Sequence, residues 1–175
     1  STDGATKPVG WSDKLTIEQW KLNIRLVLER AESFKVGINL EPHGPFTNDL
    51  ELMVSILKEF DSPWLGVNFD TGNAFIAGHD PLTYLKAIRP WLKHVHCKDV
   101  PKAMAEASRG EETGIASSEV SIGEGANADN IADCIQYLTE TKWDGVFSVE
   151  TLGTPSNIRN SVTWLNSVIK KAAGK

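Results

Sequence analysis

Four short apolar runs in this chain obey one rule, and that rule limits what the chain can fold into. Each run ends in a side chain able to hold a metal ion, with a smaller or polar residue two positions before it. The clearest is Leu65-Gly-Val-Asn-Phe-Asp-Thr-Gly-Asn73. Side chains alternate between faces along a strand. Leu65, Val67 and Phe69 therefore share one face, and Gly66, Asn68 and Asp70 the other. Val36–Glu41 sets Asn39 and Glu41 opposite Ile38 and Leu40. Residues 94–98 set His94, His96 and Lys98 opposite Val95 and Cys97, and residues 145–150 set Ser148 and Glu150 opposite Phe147 and Val149. Runs that are apolar on one face and polar toward their carboxyl ends suit a parallel sheet whose strand ends line a site.

Helical spacing fills the intervals between the runs. Apolar stripes recur at Trp20, Ile24, Val27 and Leu28, at Leu50, Met53, Ile56 and Leu57, and at Leu82, Leu85 and Ile88. Two more lie at Ile131, Ile135 and Leu138, and at Ile158, Val162, Leu165 and Ile169. Thr16, then Asn48 or Asp49, then Asp80 before Pro81 are the expected helix starts. This alternation predicts a parallel α/β architecture. Residues 1–13 read as a leading loop and 14–175 as the body of the domain. The stretch at about 100–119, rich in Ala, Ser, Glu and Gly, reads as a solvated insertion or a lid over a site.

Composition excludes little but points one way. With 18 basic and 23 acidic residues the formal charge is -5, which gives no footprint for nucleic acid or an acidic membrane surface. No apolar run approaches the roughly 18 residues of a spanning helix. Cys97 and Cys134 form neither a disulfide framework nor a CxxC pair, so a reducing compartment and a cytoplasmic location are expected.

Glu41, Asp70, His96 and Glu150 end the four runs. Three carboxylates and one imidazole make a hard-to-borderline donor set, suited to Mn²⁺, Mg²⁺ or Co²⁺, with Zn²⁺ as a further option. Any one of these residues alone is as readily a strand cap or the partner of a base. Four successive strands under one rule argue for a shared site.

Five stretches carry a resemblance. They are Leu-Glu-Pro-His-Gly (40–44), Phe-Asp-Thr-Gly-Asn (69–73), His-Val-His-Cys-Lys-Asp (94–99), Gly-Glu-Gly (123–125) and Ser-Val-Glu-Thr (148–151). Together they resemble the xylose-isomerase-like sugar isomerase/epimerase superfamily, in the order and spacing of the second half of its TIM barrel. The resemblance runs from about Lys14 to the end of the chain. It implies that Glu41, Asp70, His96 and Glu150 hold one divalent cation, Mn²⁺ favoured. It also implies that Glu41 and Glu150 move a proton on and off a carbon beside a carbonyl. The implied activity is isomerisation or epimerisation of a ketose or keto-sugar through an enediolate. A lyase of the same superfamily, an inosose-type dehydratase or a 3-keto-glycoside eliminase, is the alternative, followed by a non-catalytic subunit. The apurinic-endonuclease branch resembles the chain around Phe69–Asp80, but it places a His where Asn73 stands.

His43, Asn73, His94, Lys98 and Glu124 are the candidate substrate contacts, with His43 otherwise a solvated loop histidine and Glu124 otherwise a residue shaping a loop near the rim. His94 is equally a structural residue, and Lys98 equally a partner of Asp70 or Glu150. His79 reads as a surface residue and Cys97 as inert, facing the helices. The family barrel needs eight strands, and this chain offers four. The expected partners are therefore a small-molecule sugar and an N-terminal half-barrel from the same precursor or a second chain, or else a homo-oligomer.

Overall fold

Of the 175 residues, the computed structural model describes 7–111 and 114–174. Residues 1–6 of the leading loop and 112–113 of the expected insertion lie outside the described residues. The four apolar runs form one parallel sheet in chain order, β1 (Ile38–Leu40), β2 (Leu65–Asp70), β3 (Leu92–Cys97) and β4 (Val146–Val149). Glu41, Lys98 and Glu150 fall one residue past their strands, and β3 starts two residues before His94. Pro42 has no N–H with which to extend the ladder beyond Glu41.

Among the described residues seven α-helices accompany the sheet: α1 (Asp13–Phe34), α2 (Leu50–Phe60), α3 (Thr71–Ile76), α4 (Pro81–Ile88), α5 (Lys102–Ser108), α6 (Ala128–Glu140) and α7 (Pro155–Ala172). Asp49 and Asp80 cap α2 and α4 as their positions predict. The first helix starts earlier than Thr16. Ser12 Oγ accepts from Leu15 N, and the Thr16 hydroxyl turns back to donate to Ser12 O at 3.0 Å. A threonine one turn into a helix can satisfy itself in this way, so a second, better-placed Ser upstream takes the cap.

Leu40, Val67, Phe69, Val95 and Cys97 are fully or almost fully buried and face Met53, Ile56, Tyr84, Ile88 and Ile135 from the helices. The polar alternates point the other way, toward the concave face. No helix among the described residues is long and apolar enough to cross a membrane.

The 100–119 stretch is a strap, with α5 inside it. Gly110 N donates to Ile76 O at 2.7 Å, Asn48 Nδ2 to Gly114 O at 3.2 Å and Arg109 Nε to Phe75 O at 3.2 Å. Val100 and Ala116 are buried against Phe75 and Ile76. Apolar side chains of α3 draw the strap down, so the described part of it is docked on the body and not free in solvent.

The outer edges of β1 and β4 carry no further strand among the described residues. Phe34 and Val36 beside β1 are 64% and 56% exposed, and Val146 at the start of β4 is 62% exposed. Unpaired edges flanked by apolar side chains are the surfaces a sheet most needs to cover.

Phe69 stacks on Tyr84 with ring centroids 5.6 Å apart and is fully buried. Phe69→Ala should cost about 3–5 kcal/mol, read as a lowered urea midpoint with an unchanged slope. A loss below 1 kcal/mol would show that the sheet does not rest on this contact.

Candidate metal centre

The quartet meets at one rim only because the sheet is not regular. Between β2 and β3 the register runs Val67↔Leu92 and then Asn68↔His94, so β3 has one extra residue at Lys93. From there Phe69 pairs with Val95 and Asp70 with His96. Continued without the slip, the same register would set Asp70 beside Val95. A one-residue slip exchanges faces, so the irregularity aligns His96 with Asp70. Across the next pair His96 stands beside Ser148, and Glu150 N continues the ladder by donating to Cys97 O at 3.0 Å.

One ligand atom each from Glu41, Asp70, His96 and Glu150 all lie within 4.8 Å of one another. The Asp70 side chain is fully buried, and those of Glu41, His96 and Glu150 are 12%, 25% and 39% exposed. Asp70 divides its oxygens. Oδ1 accepts from Gly72 N and Asn73 N at 2.8 and 2.9 Å, capping α3, while Oδ2 faces the cluster. Asn68 Nδ2 donates to Glu41 Oε2 at 2.8 Å and lies 3.1 Å from His96 Nδ1. His96 Nδ1 sits 3.0 Å from Glu150 Oε2 and 3.5 Å from Glu41 Oε1.

Two of these acceptors, Asp70 Oδ2 and Glu150 Oε2, are buried and receive no well-aligned hydrogen bond. Each lies instead beside a charged neighbour, Lys98 Nζ at 2.8 Å from Asp70 Oδ2 and His96 Nδ1 at 3.0 Å from Glu150 Oε2, and keeps lone pairs for a further cation. A divalent cation with ligand bonds of about 2.0–2.2 Å would satisfy both, so this donor set fits such an ion.

Lys98 brings a fixed positive charge to the cluster. Its Nζ lies 2.6 Å from Glu150 Oε1, 2.8 Å from Asp70 Oδ2 and 3.3 Å from Asn73 Oδ1. Its stem crosses α3 where Gly72 leaves room, since a Cβ there would stand 2.7 Å from Lys98 Cγ. The electrostatics follow from these contacts. Burial pushes Asp70 up to about 7 against the pull of the Lys98 ammonium. Contacts with Glu150 and Glu41 raise His96 to about 9, outweighing its burial. Burial works to raise Glu150 as well, but the bonds from His96 and Lys98 hold it at about 2. Burial also opposes the Lys98 ammonium, yet Asp70 and Glu150 keep its pKa above the usual lysine value.

The remaining sequence candidates fall into different places. His94 lies one layer below the quartet, with Nε2 2.7 Å from Ser148 Oγ and its ring 5.0 Å from that of His96. Burial, with His96 beside it, depresses its pKa. His43 is half-buried in the loop after Glu41, its backbone N–H donating to Thr47 Oγ1 at 2.9 Å. Asn73 is fully buried and joins Lys98 to the strap by accepting from Ala116 N at 2.9 Å. Glu124 is exposed and lines an outer groove with Gly123, Asn160 and Trp164, on the side of α7. His79 is not a surface residue: it is half-buried, Nε2 2.6 Å from Asn48 O, with its ring edge against Tyr84. Cys97 is buried among the helices, as its face predicts.

Sequence reasoning missed Asp99 and Asn127. Asp99 accepts four backbone N–H groups, from Val100, Gly123, Gly125 and Asn127, at 2.8–2.9 Å. Asn127 Nδ2 donates to Thr71 O at 2.9 Å and to Lys98 O at 3.3 Å. Together they bind the 121–127 loop to the end of β3. The only sequence signal was an acid directly after Lys98, facing a Gly-rich loop whose approach could not be foreseen.

A parallel sheet of βα units, with its chemistry gathered where successive strands end, defines the barrel class of α/β protein. The profile described as xylose isomerase-like TIM barrel matches residues 4–168, and the chain belongs to that family. Over 87 residues it is 29% identical to a 3-dehydroshikimate dehydratase of Bacillus anthracis, covering 49% of this chain and 31% of that protein. The crystal structure of a D-tagatose 3-epimerase-like protein matches with a TM-score of 0.76 at 23% identity, covering 98% of this chain and 63% of that one. The structure of an IOLI protein with a bound zinc atom matches with a TM-score of 0.72 at 20% identity, covering 97% and 62%. The chain spans 31% to 42% of the length of the first curated relatives it matches.

Metal uptake should be linked to protons, because ligands bind deprotonated. His96, at about 9, and Asp70, at about 7, must both lose a proton. Affinity for a divalent ion should rise about tenfold per pH unit for each proton displaced, steeply below pH 7, more gently to about 9, then level. Calorimetric titration at several pH values checks this, and a flat profile counts against the quartet as ligands. Elemental analysis after dialysis should find the ion in wild type and not in Asp70→Ala.

Proposed function

We propose that this chain carries the metal-binding half of an isomerase or epimerase acting on a ketose or keto-sugar. The observation that carries the reading is the order of the quartet. Glu41 and Glu150 come from the two outermost strands and flank Asp70 and His96, so two carboxylates can address one substrate carbon from different sides. Glu150 lies 2.6 Å from the Lys98 ammonium, which favours its ionised form, so it can enter the cycle as the group that accepts a proton. Glu41 is oriented by Asn68 and completes the exchange as the opposing acid or base. Lys98, fixed between Asp70 and Glu150, orients Glu150 Oε1 and balances the buried carboxylates. Glu41, Asp70, His96 and Glu150 would hold a divalent cation, Mn²⁺ on this reading, which would supply positive charge to substrate oxygens where negative charge develops.

A dehydratase is the second reading, and the similarity to the Bacillus anthracis 3-dehydroshikimate dehydratase favours it. It shares the first proton abstraction and then expels a leaving group. Both readings place a carbon acid beside a carbonyl over the quartet. Neither draws on nucleic acid or a membrane surface.

We further propose that the open edges of β1 and β4 are covered by an N-terminal half-barrel, from the same precursor or a second chain, or by a second copy of this chain. The exposed Phe34, Val36 and Val146 are what such strands and helices would bury. Light scattering on the 175-residue chain should find it associated. A cooperatively melting monomer with full metal affinity would overturn this part of the reading.

Incubation with a panel of free ketohexoses in deuterated water tests the chemistry. Label should enter at the carbon beside the carbonyl, and a product unsaturation or a released group would identify the dehydratase. Glu41→Gln and Glu150→Gln should each lower exchange by about 10²–10⁴-fold. Near-normal exchange in both variants would remove the two glutamates from the mechanism.

A further inference from the structure

The second half of the strap alternates in burial as an extended chain does. Gly114, Ala116 and Ser118 are buried, while Ile115, Ser117 and Glu119 are exposed. Each buried residue is bonded to the segment that follows a different strand. Gly114 O accepts from Asn48 Nδ2, in the loop after β1, at 3.2 Å. Ala116 N donates at 2.9 Å to Asn73 Oδ1, in the helix directly after β2. Ser118 O accepts from Leu152 N, in the loop after β4, at 2.7 Å. The end of β3 joins through the same Asn73 oxygen, which also lies 3.3 Å from Lys98 Nζ.

The reach agrees with these contacts. Extended chain advances about 3.3 Å per residue and neighbouring strands lie about 4.8 Å apart, so residues 114 to 118 cover roughly 13 Å against roughly 14 Å across a four-strand sheet. The segment therefore crosses the carboxyl ends of the sheet, taking β1, β2 and β4 in order. That crossing bears on the quartet. Glu41 stands one residue past β1 and before Pro42, where the ladder no longer fixes the backbone. The four ligand atoms lie within 4.8 Å of one another, and ligand bonds of about 2.0–2.2 Å require them to close to about 3 Å. Strand ends that drift make this closure costly, and a rigid support lowers the cost.

We propose that residues 114–118 are the positioning element of the metal centre. Their docking across the strand ends holds Glu41, Asp70, His96 and Glu150 at binding distance, so docking and uptake of a divalent cation favour each other. The inference rests on the metal reading of the quartet and adds the element that sets its affinity. Such a link is reciprocal: a segment that strengthens cation binding is itself held down by the cation to the same degree. Gly114 is the point at which the segment is most easily lifted. Its φ is +50°, and a Cβ there would collide with Asn48 Nδ2 and Ala77 Cβ. Gly114→Ala therefore acts on the β1 end of the crossing, through Asn48 and not through the four ligands.

Hydrogen exchange and calorimetric Mn²⁺ titration of the 175-residue chain provide the test. In wild type, saturating Mn²⁺ should slow exchange of the Ala116 and Leu152 amides at least about fivefold, and those of α1 by less. A strap with only a structural role would exchange at one rate with and without the cation. Gly114→Ala should weaken Mn²⁺ binding at least about fivefold. Ile115→Ser, on the exposed face of the same segment, should keep wild-type affinity. Unchanged or uniformly slowed exchange, wild-type affinity in Gly114→Ala, or an equal loss in Ile115→Ser overturns the positioning role and leaves the metal centre standing. Should Gly114→Ala fail to fold, wild-type exchange and Ile115→Ser decide the matter. A wild type that takes up no Mn²⁺ overturns both.

Discussion

The buried Asp70 carboxylate is the group on which the rest of the site depends. One oxygen ends β2 by capping α3, and the other faces the cluster where Lys98, Glu150 and His96 converge. A carboxylate with no exposure at all is tolerable only when positive charge or donors surround it. Asp70 has two backbone N–H groups on one side and an ammonium on the other. The same demand makes the cluster receptive to a divalent ion, because Oδ2 has the Lys98 ammonium beside it and lone-pair capacity for a second cation. Folding and metal binding thus draw on a single residue.

A second carboxylate supports the first from behind. Asp99 gathers four backbone N–H groups and holds the 121–127 loop against the end of β3. Through Asn127 that loop reaches the carbonyls of Thr71 and Lys98, the residues that follow Asp70 and precede Asp99. Asn73 adds a third tie, from Lys98 to the strap. Lys98 is therefore held at both ends, its carbonyl by Asn127 and its ammonium by the side chains of Asp70, Glu150 and Asn73. A lysine is a flexible side chain, and ties at both its ends make its position a property of the fold.

The concave face tells the same story from the other direction. Apolar alternates of the strands are buried under the helices, while the polar alternates gather on the inner surface and at the rim. Among the described residues the sheet has four strands, with apolar side chains flanking each open edge. A closed barrel solves the edge problem and encloses the rim in one step, which links the completeness of the site to whatever covers β1 and β4.

Much of this was determined by the sequence alone. Period-two alternation in four runs, separated by period-3.6 stripes, is a local property of the chain, and it dictates a parallel α/β sheet with Glu41, Asp70, His96 and Glu150 at its carboxyl ends. The caps at Asp49 and Asp80 are equally local. The tertiary structure decided what depends on distant approach. The slip at Lys93 that sets His96 beside Asp70 arises between two strands and leaves no mark in either. Asn73 became a buried tie and Glu124 turned outward because the strap docks on apolar residues of α3 and the loop before α6 is drawn in by Asp99. His79 found Asn48 and Tyr84 for a related reason: those partners come from α4 and the loop before α2, segments that alternation along one chain cannot bring together.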